Sequence, residues 1–387
     1  MDLDALLAHA VALGASDVHL KLEAPPMGRI DGALVPLVDD RLGNGDLEAF
    51  LARVTASAPA KQEAFLAAGD LDGAYTAPNA GRFRVNCFRQ RGAISFAFRH
   101  VPDEVRTLDE LEMPDAVRRL ADEHRGLILV TGATGSGKST TLAAIVDHIN
   151  RTRKSHIVTI EDPIEVVHRD QGCMISQREI GLDTESYRQA LRRVLRQDPD
   201  VILIGELRDE ESAHVALGAG ESGHLVLATM HTIDTVETVR RFVDFFPERK
   251  HAMIRQITAG VLRGVVSQRL LPRKGGGRVA AVEVMVNTPR LAELIADPGK
   301  TDKMTDAIED DDYHGMQSFS QHLVQLVLAD SVDFEVAAAA ASDRHDFELA
   351  LHQESRRNRA ANAEAVPIGR GENQWRTSPF HDLSPSS

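Results

Sequence analysis

The chain has 387 residues, with 44 Lys and Arg against 58 Asp and Glu for a formal charge of −14, 43% hydrophobic residues and two cysteines. At about 150 residues per domain it holds two or three domains with cores of their own, which excludes a chain disordered throughout. The acid excess opposes broad binding to a phosphate backbone, whose sequence-independent affinity needs clustered Lys and Arg, so no nucleic-acid partner is expected. Cys87 and Cys173 lie too far apart to pair as zinc ligands and are too few for a secreted disulfide framework, which points to a reducing cytoplasm. The opening MDLDALLAHAVALG mixes charge with apolar residues, unlike a signal peptide. No apolar run reaches the roughly 18 residues a span needs, so no direct membrane insertion is expected.

In chain order, Leu3, Leu6, Leu7, Ala10 and Val11 fall at helical spacing before Gly14 and predict a helix over 2–13. Residues 17–22 and 27–37 read as strands, interrupted by Pro25-Pro26 and by a hairpin turn at Asp31-Gly32, and 46–68 reads as helical. The string RFRVNCFRQRGAISFAFR is the clearest strand pair. Phe83, Val85 and Cys87, then Ile94, Phe96 and Phe98, alternate with polar or small residues, so one face is core and the other carries Arg82, Arg84 and Arg99. These elements make an α+β domain over 1–99, followed by a linker at 100–106. From about 107 the pattern changes to continuous apolar strands at 127–131, 156–160, 201–204 and 225–229 separated by helices, the mark of a parallel sheet covered on both faces, and the core is assigned to 107–290. Helical segments are expected from 247 to about 350, broken by the Lys274-Gly275-Gly276-Gly277 loop and by an acidic stretch over 297–312, with a C-terminal helical region at 291–354. Residues 355–387, rich in Asn, Ser, Pro and charge, are expected to form a disordered tail, and they hold the only tryptophan, Trp375.

The chemistry is carried by the string that follows the 127–131 strand. Gly132, Ala133, Thr134, Gly135, Ser136, Gly137, Lys138 and Ser139 fit G-x-x-x-x-G-K-[ST], and Thr140 continues into a helical stretch. Glycines let the backbone wrap so that successive N–H groups and a helix N-terminus face phosphates. Lys138 would neutralise β/γ-phosphate charge, and Ser139 would give Mg²⁺ an oxygen ligand. Three further polar clusters end apolar strands: Glu161, Asp162 and Glu165; Gly205-Glu206; and His231-Thr232. Carboxyl ends of parallel strands are where open α/β sheets place their ligand chemistry, so all four clusters should share one rim. Hydrolysis of a phosphoanhydride needs a charge clamp, a magnesium site and a group that orients the attacking water. Glu165 and Glu206 fit the last two roles in either order, with a solvated loop carboxylate as the plain alternative for each. His231 reads as a γ-phosphate sensor or a strand-end cap, and His224 as a further nucleotide contact or, equally, a strand-end cap. The expected ligand is a nucleoside triphosphate with Mg²⁺. No Asn-Lys-x-Asp string is present, which leaves guanine recognition without visible means.

These strings together resemble the secretion-type ATPases and, within them, the retraction ATPases of type IV pili. The matching segments are GASDVHL at 14–20, RFRVNCF at 82–88, GATGSGKSTT at 132–141, EDPIE at 161–165, DPDVILIGELRD at 198–209, SGHLVLATMHT at 222–232 and GMQSF at 315–319. The resemblance implies a PAS-like N-terminal domain, a RecA-like P-loop ATPase domain with C-terminal helices, and a homo-hexamer that binds ATP between domains. It implies Glu165 as general base, Glu206 as a ligand to Mg²⁺ through water, His231 as a γ-phosphate contact, and arginines of the N-terminal domain, for which Arg82, Arg84 and Arg99 are the candidates. It further implies a cytoplasmic motor docked on the platform protein of the pilus at the inner membrane. Extension and type II secretion ATPases usually carry a long additional N-terminal domain and a tetracysteine metal site. The short stretch ahead of Gly14 and the two distant cysteines fit the retraction type. The segment Pro289–Ala296 keeps the apolar spacing of the AIRNLIRE-like helix of retraction ATPases but lacks its Asn and second Arg. Extension, type II/IV secretion or DNA uptake, and a slow nucleotide-gated regulatory module, are the alternative functions.

Overall fold

Residues 1–101 and 105–364 are described in the computed structural model. The first part is built on α1 (Leu3–Ala12), β1 (Asp17–Lys21), β2 (Met27–Ile30), β3 (Ala33–Pro36), α2 (Asn44–Val54), α3 (Pro59–Ala68), β4 (Asp70–Ala77), β5 (Gly81–Gln90) and β6 (Ala93–Val101). The helical stretch read as 46–68 is two helices. Pro59 cannot continue a helix but suits the first turn of one, and it opens α3. Sequence reading missed β4, where Gly73 interrupts the alternation. The strands form an antiparallel sheet in the order β3-β2-β1-β6-β5-β4. Phe83, Val85, Cys87, Phe96 and Phe98 are buried on one face with Leu7, Phe50 and Phe65, as the alternation predicts, while Arg84 and Arg99 face outward on paired positions.

The second part contains α4 (Asp115–Ala121), β7 (Gly126–Thr131), α5 (Lys138–Thr152), β8 (His156–Glu161), β9 (Met174–Glu179), α6 (Tyr187–Val194), β10 (Val201–Ile204), α7 (Glu210–Glu221), β11 (Leu225–Met230), α8 (Thr235–Asp244), α9 (His251–Val261), β12 (Leu262–Pro272) and β13 (Arg278–Val286). The sheet order is β13-β12-β7-β11-β10-β8-β9, with every neighbouring pair parallel except β12 and β13. Every residue of β7, β10 and β11 is buried, as a sheet covered on both faces requires.

The helical run expected from 247 is corrected by β12 and β13. Val265 and Val266 in β12 and Val279, Val282, Val284 and Val286 in β13 favour a pleated surface over a helix. Gly275, Gly276 and Gly277, all at positive φ, make the hairpin between them rather than a break between helices. Beyond the sheet come α10 (Pro289–Ala296), α11 (Met304–Glu309), α12 (Phe319–Leu328), α13 (Phe334–Ala340) and α14 (Arg344–Glu364). The acidic stretch at 297–312 therefore contains a helix, anchored by buried Met304, Ala307 and Ile308. The tail expected from 355 is corrected as far as Glu364, which α14 reaches. Its remainder, with Trp375, and linker residues 102–104 lie outside the described residues.

Candidate active site at the carboxyl rim

The loop after β7 joins strand to helix within six residues. It needs glycine where it turns back on β12: a Cβ on Gly132, at φ +141°, would lie 2.4 Å from the Gln268 carbonyl oxygen. Gly137, at φ +91°, supplies the left-handed residue that starts α5. Lys138 is buried, and its ammonium donates to the carbonyls of Gly132 at 2.7 Å and Ala133 at 3.0 Å. Burial lowers the Lys138 pKa from its ordinary value, against the pull of Glu206 and Glu165.

Strand register brings the other clusters to the same rim. Met230 pairs with Thr131, and Ile204 with both Ala228 and Ile160, so His231, Gly205 and Glu161 emerge beside the loop. Glu206 lies between an arginine and a histidine, with Oε2 2.7 Å from Arg208 Nη2 and Oε1 3.0 Å from His231 Nε2. Burial works to raise its pKa, but the Arg208 hydrogen bond and the His231 and Arg208 charges outweigh it and hold Glu206 below the usual value. Glu161 is buried deeper. Desolvation pushes its carboxyl up despite hydrogen bonds from Thr159 Oγ1 at 2.6 Å and Gln177 Nε2 at 3.1 Å.

A cleft of about 980 Å³ opens over this rim, lined on the loop side by Thr134, Gly135, Gly137, Lys138, Ser139 and Thr140. Glu165, Glu206 and His231 line it as well, and the N-terminal sheet closes it with Arg84 and Arg99. Arg84 Nη1 meets Glu165 Oε1 at 2.6 Å across the cleft, and Arg99 Nε donates to Asp17 at 2.8 Å.

Two sequence candidates fall elsewhere. Arg82 turns to the edge strand β9 and forms an ion pair with Glu179, both side chains nearly removed from water. His224 precedes β11, at the end of the sheet opposite the loop, where its backbone oxygen accepts from Gly126 and its ring Nδ1 sits 3.0 Å from Ser222 Oγ and 3.1 Å from the Ala219 carbonyl. A parallel strand delivers only its carboxyl end to this rim, so the two histidines flanking β11 cannot both reach it.

Residues 1–327 match the family model described as "Type II/IV secretion system protein". The chain belongs to this family. Among its relatives, the type IV pilus retraction ATPase PilT of Pseudomonas aeruginosa is 42% identical over 348 residues, covering 90% of this chain and 100% of the relative. The type IV pilus ATPase PilU of the same organism is 36% identical, covering 91% of each. The crystal structure of the pilus retraction motor PilT with bound ADP superposes with a TM-score of 0.83 at 40% identity, covering 90% of this chain and 99% of that one. Membership, with an intact phosphate loop, makes the chain a P-loop ATPase with an N-terminal and a RecA-like part.

The cleft has further residues that sequence reading did not single out. Arg208 pairs with Glu206, the hydroxyl of half-buried Tyr187 sits where a Cβ on Gly205 would come within 2.7 Å, and Gln268 borders the phosphate loop. Arg208 follows the Gly205-Glu206 cluster by two residues and was legible as its neighbour. Tyr187 and Gln268 come from elements with no strand-end signal.

Proposed function

We propose that the chain is a homo-hexameric, ATP-hydrolysing motor that powers retraction of type IV pili from the cytoplasmic face of the inner membrane. The observation that carries this reading is the single cleft into which the phosphate loop, Glu165, Glu206 and His231 converge while Arg84 enters from the N-terminal sheet. A site shared between two bodies closes when nucleotide fills it, and that closure is what a motor converts into movement.

In this reading the backbone N–H groups of 132–139 and the Lys138 ammonium hold the β- and γ-phosphates. Residues fit Mg²⁺ because only Ser139 and, through water, Glu206 need contribute, which suits an ion that keeps most of its waters and takes its other ligands from phosphate; it would neutralise charge on the leaving group. Glu165 orients and deprotonates the attacking water once its pair with Arg84 opens. Arg84, released from Glu165, is then free to meet the γ-phosphate, with Arg99 beside it. His231, hydrogen-bonded to Glu206, senses the γ-phosphate and reports it to the metal-side carboxylate. The moving parts are taken as 1–99 and 107–290, and the platform protein of the pilus as the docking partner. Among the described residues no helix is long and apolar enough to cross a membrane.

Deleting the gene and counting surface pili tests the direction of the motor. Hyperpiliated cells that do not twitch are expected, whereas bald cells would assign the chain to extension. Purified Lys138→Ala is expected to lose ATP turnover altogether, and full activity in that variant would overturn the site.

A further inference from the structure

The peptide group between Ser136 and Gly137 is held from outside the phosphate loop. Its carbonyl accepts a buried 2.6 Å hydrogen bond from Nε2 of Gln268 on β12. Gln268 is 2% exposed and borders the cleft. Its amide orientation is fixed by chemistry, since the opposite flip would set two oxygen acceptors against each other. The strand carrying it is fixed too: Thr131 pairs with Ser267, the two hydroxyls are 2.8 Å apart, and Gln268 is the first residue of β12 past the rim.

A trans peptide points its C=O and the following N–H in opposite directions. Drawing the Ser136 carbonyl toward β12 therefore turns the Gly137 N–H away from β12, and among the described residues that N–H has no backbone acceptor. Gly137 tolerates either sign of φ, so the same peptide can rotate at little intrinsic cost. A rotated peptide would present its carbonyl oxygen where the N–H now points. For a site that takes phosphate oxygens, one rotation replaces a donor with a repelling acceptor.

We propose that Gln268 is a positioning residue that sets the polarity of the Ser136–Gly137 peptide and so aims the Gly137 N–H at the nucleotide phosphates. This rests on the reading of 132–139 as the phosphate loop. Gln268 does not touch the reacting atoms; it acts through the loop, and its second amide atom, Oε1, is buried without a partner.

The test uses the full chain, with ADP binding measured by calorimetry, melting curves without nucleotide, and steady-state ATP turnover. Gln268→Leu keeps the volume but donates nothing, and is expected to bind ADP about 10-fold more weakly, the scale of one buried hydrogen bond, with KM raised more than kcat is lowered. Gln268→Glu supplies a readout that packing alone does not move. Its ionised carboxylate cannot donate to the Ser136 carbonyl, so ADP binding is expected to be weak near pH 8 and to approach the parent protein as the pH falls to about 6, where a buried carboxyl regains its proton and donates. If the leucine variant fails to fold, the glutamate pH profile still decides. Leucine-variant affinity within about twofold of the parent, while Lys138→Ala loses ADP, would overturn the proposal and leave the phosphate loop standing. A loss in Gln268→Glu that does not change with pH would overturn it in favour of packing. Unaltered ADP binding in Lys138→Ala would overturn the phosphate-loop reading, and the proposal with it.

Discussion

Replacing Arg82 with alanine should separate the two sheets of the molecule without unfolding either core. The Arg82 and Glu179 side chains are 14% and 1% exposed, and Glu179 Oε2 also accepts the Ile164 N–H at 3.2 Å. Among the described residues Glu179 Oε1 has no partner and Arg82 is the only cation paired with this buried carboxylate. Removing one member of a buried pair strands the other, at roughly 3–5 kcal/mol, or about two to four decades in the equilibrium between docked and separated sheets. Because Ile164 immediately precedes Glu165 in the chain, the loosened loop should also lower kcat. Hydrogen exchange at β9 and at the Ile164 amide, with urea titrations, reads the effect. Arg82→Ala should accelerate exchange there and shift the first urea transition, and Arg82→Ala/Glu179→Gln, which strands no charge, should recover most of the loss. A single variant costing under about 0.5 kcal/mol, or a double variant no better than the single, would refute the reasoning, since a pair this dry cannot be both intact and neutral to remove.

His231→Ala should lower kcat strongly while His224→Ala leaves the ADP dissociation constant within about twofold, because β11 separates the two side chains by roughly 20 Å at about 3.3 Å per residue; comparable losses of affinity in both would place His224 in the site. Glu206→Gln should abolish turnover but retain nucleotide binding, checked by calorimetry beside the activity assay. His322 gives a pH signature: its Nδ1 accepts the Val282 N–H at 2.9 Å, and burial holds its pKa down to about 4 from an ordinary 6.5. Below 6.5 the unfolded chain takes up a proton that the folded chain refuses, so stability present above that pH is lost as pH falls toward 4, by roughly 3 kcal/mol at most. Urea midpoints against pH should flatten in His322→Gln, whose carbonyl still accepts from Val282, leaving the slope from His168, also held near 4 by burial.

The parts of this molecule that could be read from sequence are those where one local rule acts alone. Strands 127–131, 201–204 and 225–229 are buried on both faces and could be nothing but apolar, and the phosphate loop demands glycine at fixed offsets from Lys138. Strand β9, MISQRE, shows no such signature because it lies at the sheet edge and spends its side chains on partners: Gln177 on Glu161, Glu179 on Arg82. The hairpin of β12 and β13 reads as helix from sequence because both strands are long and apolar and are parted by a glycine run, and length and apolar content do not separate a buried strand from a buried helix. The candidate site followed the same division. Residues at strand ends were found, whereas Gln268 and Tyr187 reach the cleft only through tertiary packing. His224 precedes the 225–229 strand and His231 follows it, so the carboxyl-end rule applied to the string already separates the two histidines.

Strand β12 ties these observations together, because adjacent residues on a strand face opposite sides. Gln268 holds the phosphate loop, while Arg269 turns to the C-terminal helices. There its guanidinium donates to the Ala340 carbonyl and to Ser342 Oγ and stacks 4.0 Å over the Phe319 ring. Two residues later, Leu271 enters the apolar cluster of Leu323, Ala337 and Phe347. A shift of the phosphate loop that carries the backbone at Gln268 with it also moves Arg269, so β12 couples the C-terminal helices to the site. The buried Arg82–Glu179 pair does the same at the β9 edge of the sheet, joining β9 and the Ile164 backbone to the N-terminal strands. The β12–β13 hairpin and the β9 edge of the core sheet are thus each tied to elements outside it, and in the proposed motor a closure of the cleft that Arg84 bridges would load both ties.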